Sequence, residues 1–255
     1  MKIAILIKQV PGSESSLPIK SDQSWIEESS VTYVMNPPDN YALEEALLIR
    51  EKLEDGEVVV VSMGPERVQK VIREGLAKGA DRGIHVKEKE QIAKDPITVA
   101  RALSSVLEEE NFDLVLTGLQ SDDTGMGQTG ALVGEMLGFS TATLAVETNL
   151  ENDKKIKIKR ELESGWFQWI TMPLPASISI QSGLNSPRYP SLKGIMGAKK
   201  KDIKTVDFDL HNDPLQNINT ISIPNTSKQT EIIDCDTDQA VDRIVNILKS
   251  EIKVL

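Results

Sequence analysis

Residues 112–138 read FDLVLTGLQSDDTGMGQTGALVGEMLG: an apolar β-prone stretch, a polar turn, a Gly-x-Gly-x-x-Gly loop at Gly125, Gly127 and Gly130, then a helical pattern. A strand that passes into a helix through so short a turn marks a βα unit, and such units stack into a parallel sheet covered by helices. Glycine-rich turns of this kind present backbone N–H groups to phosphates. The same glycines also serve simply to permit a tight turn and close helix packing. In a first βα unit the spacing suggests a dinucleotide site. Here it follows a late strand, so the phosphate inference stands while the identity of the nucleotide stays open.

The preceding residues repeat the same alternation. Lys2–Ile7 and Val58–Ser62 are continuous apolar runs, as in strands buried on both faces, and Ile84–Val86 and Asp113–Thr117 are shorter ones. Between them, Ala42, Leu43, Ala46, Leu47, Ile49 and Leu53 have helical spacing behind Asn36-Pro37-Pro38-Asp39, with Asp39 expected as the N-cap. Gly64-Pro65 is expected to open a second helix ending at Gly79, and Asp95-Pro96 a third through Val99, Leu103, Val106 and Leu107. Ligands of such sheets sit at the carboxyl ends of the strands, which points to the loops after Ile7, Ser62 and Thr117.

After residue 140 the period changes. Residues 141–147, 155–160 and 165–171 alternate apolar and polar side chains, predicting antiparallel strands, and 176–181 predicts another. Residues 183–205 show neither period and are expected to be connector, residues 207–234 are sparse in apolar side chains, and 236–255 return to helical spacing. A connector followed by a terminal amphipathic helix reads as an arm that docks on another subunit.

Several classes are excluded by composition. A formal charge of −10 argues against a nucleic-acid surface. The one cysteine, Cys235, rules out an internal disulfide framework, and His85 and His211 lack a third ligand, so no metal is expected. No apolar stretch approaches the ~20 residues of a membrane span. The N-terminus enters a strand pattern directly, without the layout of a secretory signal, and a cytoplasmic location is expected. There is no Gly-x-Ser-x-Gly elbow and no Walker lysine, and no acid, base or nucleophile constellation emerges. No catalytic residue is expected.

Two polar features remain. Gln128 and Thr129 stand at a helix start, where they and the N–H groups can reach a phosphate or ribose, and Ser121-Asp122-Asp123-Thr124 suits a sugar or purine edge. Leu192 lies between turn formers and basic residues, either as an interface anchor or as a singly exposed leucine.

Taken in order, many segments resemble the beta subunit of electron transfer flavoproteins. They are Lys8-Gln9-Val10, Met35-Asn36-Pro37 with Ala42–Ala46, Val61–Pro65, Gly79–Val86, Gly118-Leu119-Gln120, Gln128-Thr129-Gly130, Glu163 through Pro175, Asn185–Tyr189 and Ile195–Lys201. They span residues 1–205. The resemblance implies an α/β fold of the adenine-nucleotide-hydrolase-like, Rossmann-like type: a mostly parallel sheet flanked by helices, with an antiparallel extension and a C-terminal arm. It implies a nucleotide-binding domain over 1–205, with a recognition loop at 188–197, and an arm over 206–255 that packs on the partner subunit. The implied role is that of an electron carrier rather than an enzyme. An alpha subunit would hold most of an FAD shared at the interface, flavoprotein dehydrogenases would supply electrons, and a membrane quinone oxidoreductase would take them. A structural AMP would sit in this chain against Leu6, Asn36, Pro37, Pro38, Asp39, Met63, Gly118, Gln120, Asp123, Thr124, Gly125, Met126, Gly127, Gln128 and Thr129. Arg188, Tyr189, Leu192, Ile195 and Met196 would meet the dehydrogenase, with Leu192 as anchor.

Three departures from the family pattern stand out. Thr124-Gly125-Met126-Gly127 replaces part of an acidic cluster and an asparagine, Gly197 stands where a lysine is usual, and Ser164 where an acidic residue or glycine is usual. A branch of the family binds a second FAD in place of AMP and oxidises NADH in electron bifurcation, which is the alternative reading; Gln128-Thr129 favours the AMP branch. A nucleotide-binding regulatory module is a third.

Overall fold

A computed structural model describes residues 1–88, 95–152, 154–208, 215–224 and 230–254. His211 lies outside the described residues. The chain divides into Met1–Ile221 and Ser222–Leu255.

The first unit is built on a nine-stranded sheet among the described residues. Its strands are β1 (Lys2–Leu6), β4 (Glu57–Gly64), β5 (Arg82–Lys87), β6 (Leu114–Gly118), β7 (Ser140–Asn152), β8 (Lys155–Glu161), β9 (Phe167–Pro173), β10 (Ala176–Ile180) and β11 (Ile203–Asp207), and a separate ribbon pairs β2 (Gln9–Pro11) with β3 (Tyr33–Met35). The order across the sheet is β11-β5-β4-β1-β6-β10-β7-β8-β9. Pairing is parallel from β11 to β7 and antiparallel from β7 through β9. The mostly parallel α/β architecture and its antiparallel extension match the expectation.

Both faces of the parallel part are covered, which is why its strands read as unbroken apolar runs. One face packs Ile3, Ile5, Val58, Val60, Leu114 and Leu116 against α1 (Pro37–Leu53) and α2 (Gln69–Lys78) through Leu43, Leu47, Ile72 and Leu76. The other packs Ala4, Val59, Val61, Ile84 and Val115 against α3 (Pro96–Glu108) and α4 (Thr129–Met136) through Leu103, Val106 and Val133.

Several local expectations are corrected. Asn36, not Asp39, is the N-cap residue of α1, and Asp39 lies inside the first turn with its side chain turned to other strands' backbone. Pro65 opens only a single 3-10 turn, Glu66–Val68, ahead of α2. Residues 183–205, expected as connector, contain α5 (Leu192–Ala198) and the start of the edge strand β11. α5 is short, follows two prolines and buries only Ala198, so it offers no helical period to read. β7 alternates as a half-exposed strand should, yet pairs parallel to β10 before turning antiparallel to β8.

In the second unit, α6 (Thr237–Asn246) is capped by Asp236, whose carboxylate accepts the Gln239 N–H, and continues into a π-helical turn over Ile247–Ile252. No helix among the described residues is long and apolar enough to cross a membrane.

Candidate functional site

The carboxyl ends of β1, β4 and β6 meet at one edge of the sheet, and the backbone there is tied together by two buried side chains. Asp39 accepts the N–H of Lys8 after β1 (2.7 Å), the N–H of Gly118 at the end of β6 (3.1 Å) and an Asn36 Nδ2–H (3.0 Å). Asn36 also donates to the Gln120 carbonyl (3.0 Å) and accepts the Asp122 N–H (3.0 Å). Through this pair the start of α1 holds both flanking loops. Gly118 is required by close approach: a Cβ there would lie 2.3 Å from Asp39 Oδ1. Burial pushes the Asp39 carboxyl up to about 7, against the pull of its N–H donors.

The loop after β6 bends through Gly125 (φ 61°) and Gly127 (φ 63°), left-handed conformations that favour glycine. Lys8 reaches over it from the loop after β1, with Nζ 2.7 Å from Asp123 Oδ1 and 3.2 Å from Ser121 Oγ. Desolvation raises the Asp123 carboxyl, but the Lys8 charge and surrounding donors outweigh it and hold it below the usual carboxylate range. Gln128 precedes α4 without a side-chain capping bond, so the first-turn N–H groups of that helix have no side-chain acceptor. Beneath them lie Thr117 on β6 and Ser179 on β10, opposite each other in register. The hydroxyls of both are buried and lack a hydrogen-bond partner. Gly130 packs so closely on Thr117 that a Cβ would fall 2.5 Å from its Oγ1. Open helix-terminal donors, a left-handed glycine loop and two unpartnered hydroxyls fit a monophosphate. Leu6 and Met63 lie at the ends of β1 and β4 beside this cradle.

The structure therefore brings together Asn36, Pro37, Pro38, Asp39, Gly118, Gln120, Asp123 and the 124–129 loop around the ends of three strands. Thr117, Ser179 and Lys8 were not singled out from sequence as site residues. A hydroxyl interrupting an apolar strand, as in Leu114–Gly118 and Ala176–Ile180, was the signal that could have found the first two. His85 is a satisfied core residue, its Nε2 2.8 Å from the Gly64 carbonyl. Among the described residues no group of three His, Cys, Asp or Glu could hold a metal.

Comparison with known proteins decides the family. The electron transfer flavoprotein domain matches residues 23–211. Similar proteins include the electron transfer flavoprotein subunits beta of Bradyrhizobium diazoefficiens, 41% identical over 81% of this chain and 82% of that one, and of Methylophilus methylotrophus, 39% identical over 82% and 80%. The human subunit beta is 35% identical over 94% of both chains. The chain belongs to the electron transfer flavoprotein beta-subunit family.

The segment that the family resemblance assigned to recognition stands apart from the cradle. Ser191 caps α5 by accepting the Gly194 N–H (3.0 Å), and the helix lies on α2, where Arg73 donates to the Ala198 carbonyl. Leu192 is 82% exposed, Tyr189 94%, and Met196 and Ile195 are also exposed. Arg188 behaves differently: its guanidinium pairs with Glu44 (2.8 Å) and Glu51 (2.6 Å) on α1, which pins the segment to the domain.

Proposed function

We propose that this chain is the AMP-holding beta subunit of an electron carrier. Paired with an alpha subunit, it shares one FAD and shuttles electrons from flavoprotein dehydrogenases to a membrane quinone oxidoreductase. FAD supplies the redox chemistry, accepting electrons from one protein and releasing them to another. This chain's residues do the holding. Its domain over residues 1–205 buries the nucleotide, the exposed Leu192 with Tyr189, Ile195 and Met196 meets the dehydrogenase, and 206–255 packs on the alpha subunit. The exposed Val241 and Ile244 on α6 suit that last role.

The observation that carries the AMP reading is the cradle under α4. The first-turn N–H groups, Thr117 Oγ1 and Ser179 Oγ would take the phosphate, and the carboxylates at Asp122 and Asp123 would accept ribose hydroxyls. A single phosphate satisfies these donors, and the Walker-type lysine that longer phosphate chains call for is missing from the loop.

Denaturing the complex purified with its alpha subunit and identifying the released nucleotides by mass tests this. One FAD with one AMP is expected. Two FAD and no AMP would establish the bifurcating alternative, while ATP without flavin, and no stable partner, would overturn the flavoprotein reading for a regulatory module.

A further inference from the structure

The exposed side chains of Tyr189, Leu192 and Met196 stand on a segment whose two ends are fastened to different helices. At its front end, Arg188 lies against two carboxylates of α1. Its backbone N–H and its Nε–H both donate to Glu44 Oε2, at 3.0 Å and 2.8 Å, and Nη2 donates to Glu44 Oε1 at 2.9 Å. Glu51, further along the same helix, accepts from Nη1 at 2.6 Å and from Nη2 at 3.2 Å. The Glu44 side chain is 7% exposed, so this part of the clasp is largely shielded from solvent. Three residues earlier, Asn185 Nδ2 donates to the Tyr41 carbonyl and to Glu45 Oε2, both at 3.0 Å.

The far end is held by α2. Arg73 donates to the carbonyls of Ala198 and Lys201, each at 2.6 Å. Lys201 in turn donates to the Leu76 carbonyl at 3.2 Å and to that of Ala80. Between the two ends, Gly194 approaches α2 so closely that a Cβ there would run into the Ala77 carbonyl. The underside of the segment is thus committed to α1 and α2, while Leu192 and Met196 stay 82% and 72% exposed.

We infer that Arg188 is a positioning residue for electron transfer: its clasp on Glu44 and Glu51 sets residues 188–198 in their docking geometry before a dehydrogenase arrives, and it acts through Leu192. A segment that must order on binding loses part of its interaction free energy to that ordering, whereas one fixed beforehand does not. The hold suits that task. A guanidinium gripping carboxylates by its planar fork fixes direction as well as distance, which a lysine ammonium does not. Pro187 and Pro190 flank Arg188 and Tyr189 and narrow the backbone choices between them. Direct contact with the partner fits less well, because Nε, Nη1 and Nη2 all donate to carboxylates of this chain.

The inference rests on the reading that this segment meets a dehydrogenase, and the test separates the two. Electron transfer from the donor dehydrogenase is measured with the complex of this chain and its alpha subunit as the varied substrate. The proteins are wild type, Arg188→Ala, Arg188→Lys, Leu192→Ala and Arg188→Ala/Leu192→Ala. Because Arg188→Ala alone strands a nearly buried carboxylate, Glu44→Gln/Arg188→Ala is made beside it. Removing Arg188 should raise KM about fivefold or more with kcat within about twofold, the pattern of lost binding rather than lost chemistry. Arg188→Lys should recover little of this. In the Leu192→Ala background the same removal should cost less than about twofold, since the residue it positions is gone. Amide exchange over 191–201 should be slow in the wild-type complex without dehydrogenase, a readout that depends on no variant folding.

A loss undiminished in the Leu192→Ala background would make Arg188 a direct contact and overturn the positioning role. Unchanged KM, or fast exchange in wild type, would also overturn it, and impairment by Leu192→Ala would then leave the docking reading intact. Wild-type electron transfer by Leu192→Ala would overturn the docking reading and this inference with it.

Discussion

Asp39 carries more of the site than its position in the chain suggests. An acidic residue in a first helical turn reads as a cap or a dipole partner, and nothing local announces that its carboxylate will hold the backbone of two strands. Its partner Gly118 lies 79 residues away, and that contact becomes legible only once β1 and β6 are adjacent. The glycine loop was legible because its chemistry is local, through spacing and turn composition. Two consequences belong at this scale. Gly118→Ala would force a methyl into Asp39 and the backbone of Pro38, and overpacking of this kind costs about 1–3 kcal/mol. Thermal unfolding should show the loss, with nucleotide content falling in parallel; a variant with wild-type stability would remove the close-approach argument. Asp39→Asn places an amide where Oδ2 accepted the Lys8 N–H, leaving a buried donor facing a donor, a cost of about 1–3 kcal/mol at neutral pH. Urea denaturation measures it directly.

Elements were legible where one period dominated, as in the buried strands and the helices α1 to α3. They were hidden where burial was slight. β11 turns few side chains inward, and α5 exists because Ser191 caps it and α2 supports it, neither of which has a period. The anchoring of Arg188 has no local signal either, because the carboxylates it meets sit seven residues apart on α1, two helical turns along one face. Helix α3 was read correctly from its cap: Asp95 accepts the N–H of Ile97 and of Thr98. Asp95→Ala should lower stability by about 1–2 kcal/mol in denaturant titration, and a change below a few tenths would mean the cap is redundant. For α5 the expected pattern is the reverse. Leu192→Ala removes a side chain that touches little, so stability should stay within about 0.5 kcal/mol. Electron transfer from the donor dehydrogenase should slow by about tenfold or more, the effect of truncating an interface anchor. An unchanged rate, or loss of flavin, would refute the anchor role of Leu192.

Across the whole domain, the two ends of the sheet titrate in opposite senses. At the amino ends of the strands, Glu110 meets Lys2 (2.8 Å) and Arg82 (2.7 Å), and these bonds, the Lys2 one foremost, hold its carboxyl down at about 2 against an ordinary 4.5. A depressed carboxylate stabilises the fold above its unfolded value, and that stability is lost as pH falls toward 2. At the carboxyl ends, burial raises Asp39 from 3.8 to about 7. The folded state there binds its proton more tightly than the unfolded chain does, so stability is fully present below about 4 and is lost as pH rises through 7. Each limb has a slope of at most about 1.4 kcal/mol per pH unit, the linkage of one proton. Glu110→Gln should therefore flatten the acid limb alone and Asp39→Asn the neutral limb alone. The six residues from Lys2 to Lys8 put roughly 20 Å of strand between the two sites. Their effects should then add within about 0.5 kcal/mol in the double variant, as for sites sharing no partner. Urea titrations from pH 3 to pH 8 on the four proteins decide it. A coupling above 1 kcal/mol would mean that the ion network at one end of the sheet and the Asp39 cradle at the other respond as a unit, so that the contacts around Asp39 also set the acid stability of the fold.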